Sequence, residues 1–581
     1  MPVPELEALK NSALWAAWGD ALGFITELTD SSGIRRRIGA DRVEAPVAWQ
    51  RRIGGKSGPR VELPPGCYSD DTQLRLATSR SIGGDGIFDV DAFARVELPV
   101  WLDYALGSGK RTRAAALNLA SSGATWTTSQ FNSSNAGYLN GGGNGAAMRV
   151  QPHVWAARDA ASPETYLSSV IRNAVCTHGH PRGIVGAALH AALLGACIGH
   201  QEVPGPKEWQ EAIKLLHRVP DLINRDEDLR SLWLPSWERI TARSFSSSVA
   251  ETINECEALV TRLSEPFGAD KAAGYAAAAK SIGAFEPASR GSGTVTTLLA
   301  AALAWNFRDR PHEALLMAAN LVGSDTDTIS TMAGALLGVV AEYPPPTPVL
   351  DGPVLLNESA RLFAIRTGRN ADSFRYPDLF SWELPRAQAD FVGRLNDGTT
   401  DLALAGLGVL RPVGEPIRSG DTTQFVWQWM QLGSGQHILI KRRPEPPRLP
   451  AVLLPGPPRQ IRESAQPSRS PRQERLVDID ANASQRPDRG SATASTRSRE
   501  GRGTTTPQRQ RKTTLRAPSL AAPRLNEAVD EALASDLDPF VVGRLLLELA
   551  RDSGGLDHVV AFAAVVGKAV QARVERSRGS S

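Results

Sequence analysis

Two stretches of this chain are too uniformly apolar to lie on a surface. Residues 174–199 read "AVCTHGHPRGIVGAALHAALLGACIG" and residues 293–307 read "GTVTTLLAAALAWNF". Each is rich in alanine, apolar on most faces, and roughly ten to fifteen residues long once its turn signals are set aside, which favours buried helices over strands. Helices of that kind need other helices around them. From the N-terminus to about Arg386 no strong period-two series appears, so the pattern predicts an all-α domain. Loops are expected at 54–66, at 120–145 and around 199–206.

With 581 residues the chain exceeds one ordinary domain. The texture changes near residue 391. Residues 391–443 carry turn glycines and β-rich runs such as "TTQFVWQWMQLGSGQHILIKRR", and read as a short β-hairpin appendage. Residues 444–523 are dense in Pro, Arg, Ser, Thr and Gln, and are expected to be disordered because they bury too little to offset the entropy of ordering. Residues 524–575 resume helical periodicity, broken at Gly554 and Gly555, as a small module that docks a protein partner or oligomerises. The expected domains are therefore 1–390, 391–443, 444–523 and 524–575. A net charge of +3 does not mark a nucleic-acid binder, although the arginines of the linker keep nucleic acid among the acceptors worth testing. No apolar run is read as long enough to span a bilayer, and "MPVPELEALKNSALWAAWGD" is no secretory signal. The four cysteines are scattered without a CxxC pair, so the expected compartment is a reducing cytoplasm.

Against this apolar background two acidic turns stand out. "CYSDDTQLRLA" carries Asp70 and Asp71, and "LVGSDTDTISTMAGALLG" carries Asp325 and Asp327, each just where a helix should begin. A plain account makes Ser69 and Ser324 N-caps, and the aspartates partners of a helix dipole. That account weakens when the two are set side by side, because four carboxylates gathered in a core repel one another and are costly to desolvate. One or two divalent cations remove that cost. Oxygen-only donors point to Mg²⁺, Mn²⁺ or Ca²⁺ rather than Zn²⁺. Near the N-terminus, "WGDALGFITEL" supplies Gly19 and Gly23 for close helix approach. Glu27, seven residues after Asp20, shares its face if the helix continues.

In order along the chain, "GDALGFITE" (19–27), "YSDDT" (68–72), "GGGNGAAMRV" (141–150), "THGHP" (177–181) and "GSDTDTISTMAGALLG" (323–338) resemble the motifs of the ADP-ribosylglycohydrolase family. The resemblance covers 14 to about 342. It implies an orthogonal helical domain and two Mg²⁺ ions, with Mn²⁺ as the alternative. The implied ligands are Ser69, Asp70, Asp71, Asp325, Asp327 and Thr328, with Glu27 as a further ligand or gate. Ser69 stands where threonine is usual and keeps the hydroxyl; Ser324 stands where glycine is usual. Gly141, Gly142, Gly143, Asn144 and Gly145 would offer backbone N–H groups to ADP-ribose, and His178 resembles a histidine lining that pocket. His180 and His190 read as structural.

The implied reaction is hydrolysis at ribose C1″ of an ADP-ribosylated acceptor, through an oxocarbenium-like centre. Asp71 and Glu27 lead as the base, with Asp327 behind them. Arginine-linked protein is the first acceptor and serine-linked protein the second, and the 107–138 loop with Trp126 and Phe131 is expected to shape access. Two rival readings remain: a module that binds ADP-ribose without turnover, and a two-metal phosphohydrolase that releases ADP or phosphate.

Overall fold

The structure is a computed structural model that describes residues 4–55, 58–131, 136–395, 400–419, 422–456, 522–535, 537–550, 558–560, 562–563, 565–567 and 569. Met1–Ala465 form one compact unit and Gln466–Ser581 a second. The first is predominantly helical, as the apolar pattern predicts. Five of its helices frame the site: α1 (Glu5–Thr26), α2 (Asp70–Arg80), α3 (Pro181–His200), α4 (Gly293–Asn306) and α5 (Thr326–Val340).

Helices α1 and α5 cross with their backbones in contact, and glycine is the reason. A methyl group on Gly19 would stand 2.5 Å from the Ser330 carbonyl oxygen, and one on Gly23 would stand 2.4 Å from the Asp327 nitrogen. From the other side, a methyl group on Gly334 would stand 2.4 Å from the Trp15 carbonyl oxygen and one on Gly338 would stand 2.5 Å from the Asn11 carbonyl oxygen. Contact positions rise along one helix as they fall along the other, so the pair is antiparallel. Four-residue spacing of glycines on both helices matches the ridges along which helices pack. The end of α1 is thereby delivered to the start of α5, where the second acidic turn lies.

The apolar stretches fold as α3 and α4. At twenty residues α3 is longer than the sequence suggests, and it is apolar and long enough by composition to cross a membrane, contrary to the expectation above. It is instead packed inside the helical body, with 83% of its most apolar window buried. Burial on nearly every face demands the same composition that a bilayer would.

A strand occurs within the 54–66 stretch expected to be a loop, paired with another just before it. β1 (Trp49–Arg52) and β2 (Arg60–Leu63) form an antiparallel ribbon with Trp49 opposite Leu63. Val61 and Leu63 are buried while Arg60 and Glu62 are exposed, a period-two signal only four residues long and too short to stand out. Beyond the helices, β3 (Val392–Arg394), β4 (Leu402–Leu404), β5 (Gly408–Pro412), β6 (Ile417–Ser419), β7 (Thr422–Leu432) and β8 (His437–Arg442) build a six-stranded antiparallel sheet, larger than a hairpin. The eleven-residue β7 organises it, pairing with β8 on one edge and with β5 and β6 on the other.

Sheet and helices share one apolar core. Trp382 donates to the Arg95 carbonyl and Gln388 to the Leu102 carbonyl, each at 2.8 Å. The first residues of the Pro-rich stretch also join this unit. Leu449 and Leu453 are buried, the Arg394 amide donates to Pro447 and the Leu449 amide donates back to Arg394. Residues 457–521, most of the segment expected to be disordered, lie outside the described residues.

In the C-terminal unit, helices Ala522–Ala534 and Pro539–Ala550 bury Ala528, Ala532, Leu545, Leu549 and Phe562 in a small core of their own. The expected break at Gly554 and Gly555, and residues 570–575, lie outside the described residues.

Candidate active site

The first acidic turn opens α2. Ser69 is its N-cap: its hydroxyl accepts from the Asp71 amide at 3.2 Å and donates to Asp71 Oδ2 at 3.1 Å. The plain capping account therefore holds for Ser69, but it does not use Asp70. It also leaves Asp71 Oδ1 buried with no hydrogen-bond partner. What fixes the turn is Asp20 on α1, which accepts from the Ser69 amide (2.9 Å), the Thr72 amide (2.9 Å) and the Thr72 hydroxyl (2.6 Å). The sequence places Asp20 on a helix face beside Glu27; its role in holding the turn was not legible, because its partners come from a segment some fifty positions away.

The second turn opens α5. Asp325 occupies the N-cap position yet makes no side-chain cap bond. Its Oδ2 accepts from the side-chain Nδ2 of Asn144 at 3.0 Å. Asp327 Oδ1 accepts from the Thr328 amide at 2.9 Å, and Thr328 is buried. The Ser324 hydroxyl donates to the Leu321 carbonyl at 2.8 Å, and the N-cap position that the sequence suggests for it is occupied by Asp325 instead.

Helix α1 stops at Thr26, so Glu27 leaves in an extended conformation instead of continuing the helical face of Asp20. It is half-buried, its Oε2 lacks a partner, and burial pushes its carboxyl up to about 7. Arg51 opposes that rise and Asp325 adds to it.

The acids of the two turns feel one another. Burial first, then the charges of Glu27 and Asp20, hold Asp70 well above the usual carboxylate range. Burial followed by Asp20, Asp70 and Asp325 does the same to Asp71, and burial followed by Glu27, Asp71 and Asp325 to Asp327. The charge of buried Arg75 on α2 opposes the rise at Asp20 and Asp71; its guanidinium donates to the Thr331 hydroxyl, while its Nε and Nη1 are unpartnered. Among the described residues, no three His, Cys, Asp or Glu side chains are already closed into a nest for a metal ion. The donor set is split between two helix starts and joined by their mutual field.

The glycine-rich loop runs alongside. The Gly293 amide donates to the Gly142 carbonyl at 2.9 Å and the Asn144 amide to Gly291 at 3.0 Å, stitching the loop to the start of α4. A methyl group on Gly291 would stand 3.1 Å from Asp325 Oδ2. Buried Arg149 holds the Gly145 carbonyl at 3.0 Å and the Thr177 hydroxyl at 2.8 Å. His178 lies beneath, its Nε2 3.5 Å from where methyl groups on Gly143 or Gly145 would stand and its Nδ1 bonded to Thr177 at 2.8 Å. Burial lowers it to about 3, so the ring is neutral. Asn144 spends its side-chain amide on Asp325 and Thr296. Arg111, on the helix Lys110–Leu119, flanks Gly141 and Gly143 and makes no ion pair among the described residues. Sequence reading passed over it, since an arginine on a polar helix carries no signal.

Outside the loop a cleft of about 740 Å³ is lined by Phe131, Asn140, His180, Arg182, Trp237 and Glu255, and by none of the turn acids. Trp126 does not line it: that ring is buried against the Arg172 guanidinium. His180 caps α3 by accepting from the Arg182 amide, and His190 bonds Gln151, the structural roles expected of them.

Fold and site together define a helical protein with a buried, all-oxygen acidic centre beside a glycine loop. The profile of the ADP-ribosylglycohydrolase family, a family of hydrolases, matches residues 6–344. The chain belongs to that family. It is 28% identical over 209 residues to the ADP-ribosyl-(dinitrogen reductase) glycohydrolase of Rhodospirillum rubrum, a match covering 36% of this chain and 63% of the relative. It is 32% identical over 142 residues to an ADP-ribosylarginine hydrolase of Pseudomonas putida, covering 22% of this chain and 37% of that protein. The matched stretch is thus less than two thirds of either relative. A solved ADP-ribosylglycohydrolase-related protein complex aligns over 62% of this chain and 99% of its own, with 20% identity and a TM-score of 0.37.

Proposed function

We propose that this chain removes ADP-ribose from a modified acceptor by hydrolysing the bond at ribose C1″, with arginine-linked protein as the first substrate and serine-linked protein as the second. One observation carries the reading: Asp71 Oδ1 and Glu27 Oε2 are buried without partners among acids that raise one another. A divalent cation answers both the missing partners and the repulsion, and an all-oxygen donor set suits Mg²⁺ or Mn²⁺. Ser69, Asp70, Asp71, Asp325, Asp327 and Thr328 would hold two such ions. Once bound, they supply positive charge and a grip on sugar hydroxyls.

The chain's own groups do the rest. The Asn144 amide is already taken by the Gly291 carbonyl, so the backbone N–H groups of Gly141, Gly142, Gly143 and Gly145 are the loop's donors to a diphosphate, with Arg111 adding charge at the rim. Neutral His178 supports the loop from below. Glu27, Asp71 or Asp327 takes the proton of the attacking water; Glu27, pushed to about 7, is matched to that task near neutral pH. Arginine ranks first because one relative is named an ADP-ribosylarginine hydrolase. Catalysis is assigned to 1–390 and partner docking to the C-terminal helices, in a cytoplasmic setting that keeps the four buried cysteines reduced.

The test is incubation with arginine- and serine-linked ADP-ribosylated proteins, with Mg²⁺ or with chelator, followed by chromatography of the products. Intact ADP-ribose released only with metal supports the reading. ADP or phosphate would point to a phosphohydrolase, and no release with metal bound would point to a binding module.

A further inference from the structure

Two side chains tie the β-sheet to the helix that the first acidic turn opens: Gln436, just before β8, accepts from Arg80 on α2 at 2.8 Å, and Asp351 joins β8 to Tyr68 at the entry to the turn. Asp351 sits at the start of the helix Gly352–Arg366 with a φ of 63°, the left-handed region that a non-glycine residue seldom occupies. It does not cap that helix. Its carboxylate is turned the other way and is fully occupied. The Tyr68 hydroxyl donates to Oδ2 at 2.5 Å, the His437 amide reaches both oxygens at 3.0 and 3.1 Å, and His437 Nδ1 lies 2.6 Å from Oδ1. Tyr68 is the buried residue immediately before Ser69, and His437 is the first residue of β8. The backbone follows the same path: the Leu350 amide donates to the Gly66 carbonyl at 3.0 Å, and a methyl group on Gly66 would stand 2.7 Å from that amide nitrogen.

The acidic turn 69–72 is therefore gripped from two sides, by Asp20 on α1 and by Tyr68 through Asp351. Asp351 and His437 both lie past residue 344, where the family match ends. We infer that the β-sheet is a working part of the acidic centre: His437 and Asp351 are positioning residues that set Tyr68, and through it the orientation of Ser69, Asp70 and Asp71. A strained backbone persists only where its surroundings over-determine it, and here the strain aims a carboxylate at the residue preceding the turn. Groups that orient metal ligands without touching the metal commonly control its affinity.

The inference rests on the metal reading above, and the experiment separates the two. The full-length chain, stripped with chelator, is titrated with Mn²⁺; uptake is followed by calorimetry and by the electron paramagnetic resonance of the bound ion, with the thermal midpoint recorded alongside. Tyr68→Phe removes one hydroxyl, and Asp351→Asn keeps the shape and tolerates the left-handed backbone. Each should weaken Mn²⁺ binding roughly tenfold and alter the line shape of the bound ion. His437→Ala should do the same, and His437→Asn, which retains a side-chain donor, should recover most of the affinity. If Asp351→Asn does not fold, Tyr68→Phe decides alone. Wild-type uptake with unchanged affinity and line shape in the folded variants overturns the inference and leaves the metal reading standing, whatever the midpoint does. No uptake by wild type overturns the metal reading and this inference with it.

Discussion

Two turns of this chain carry nearly the same letters, Ser-Asp-Asp-Thr at 69–72 and Asp-Thr-Asp-Thr at 325–328, and are held in different ways. The first is held by polar side chains: Asp20 collects three donors from it and Tyr68 anchors its entry. The second adds close backbone packing to its polar ties: Gly23 leaves no room for even one methyl group beside Asp327, while the Thr326 hydroxyl donates to the Gly23 carbonyl and the Asn144 side chain to Asp325. Similar sequences thus give no warning that only one of the turns also rests on a backbone contact too close for a side chain. The turns should fail in different ways.

The largest effect is expected from removing one acid from each turn. Asp70→Ala with Asp325→Ala should abolish Mg²⁺-dependent release of ADP-ribose while the circular dichroism stays helical, because these acids repel in the metal-free state and their loss costs the fold little. Turnover at the wild-type rate would remove both from the site. Next comes Gly23→Ala, whose methyl group would meet the Asp327 backbone at 2.4 Å, where nothing flexible can yield. A loss of about 3 kcal/mol in urea unfolding is expected, together with loss of the second turn's geometry. An unchanged midpoint would show that the α1–α5 crossing adjusts more easily than its backbone contact allows.

Asp20→Asn should cost less, about 2 kcal/mol, since the amide keeps the shape but only one oxygen can still accept from the turn. Equal losses for Gly23→Ala and Asp20→Asn would blur the contrast between packing and polar support. The smallest effect concerns pH. A carboxyl whose folded pKa lies above its unfolded value binds its proton more tightly when folded. It therefore adds stability at low pH that is lost as pH rises through the folded value. For Glu27, raised from 4.5 to about 7, the metal-free chain should lose thermal stability between those values, and saturating Mg²⁺ should flatten the slope. A flat metal-free profile would mean that burial and the neighbouring acids do not raise Glu27.

Much of this could be read from the residues because the strongest signals were local. Alanine-rich stretches gave α3 and α4, and small residues at 19 and 23 marked a close helix crossing before any partner was known. Both acidic turns stood out because charge is conspicuous in an apolar run. What escaped notice was relational. Asp20 has partners near residue 70, Asp351 joins Tyr68 to His437, and Arg111 matters only because the loop folds over it. No window along the chain contains those pairs. The β1–β2 ribbon escaped for a different reason: four residues are too few to establish a period. The sheet was underestimated because short strands separated by turns resemble a single hairpin until β7 is seen to pair on both edges.

The central claim is that the two turns cooperate to hold divalent cations. Anomalous diffraction from crystals of the full-length chain soaked in Mn²⁺ tests it most directly. Two peaks roughly 3.5–4 Å apart, each contacted by oxygens from both the 69–71 and the 325–328 turns, are predicted. Crystals saturated with Mn²⁺ that show no peak between those turns, with the Asp70, Asp71, Asp325 and Asp327 side chains pointing apart, would contradict it.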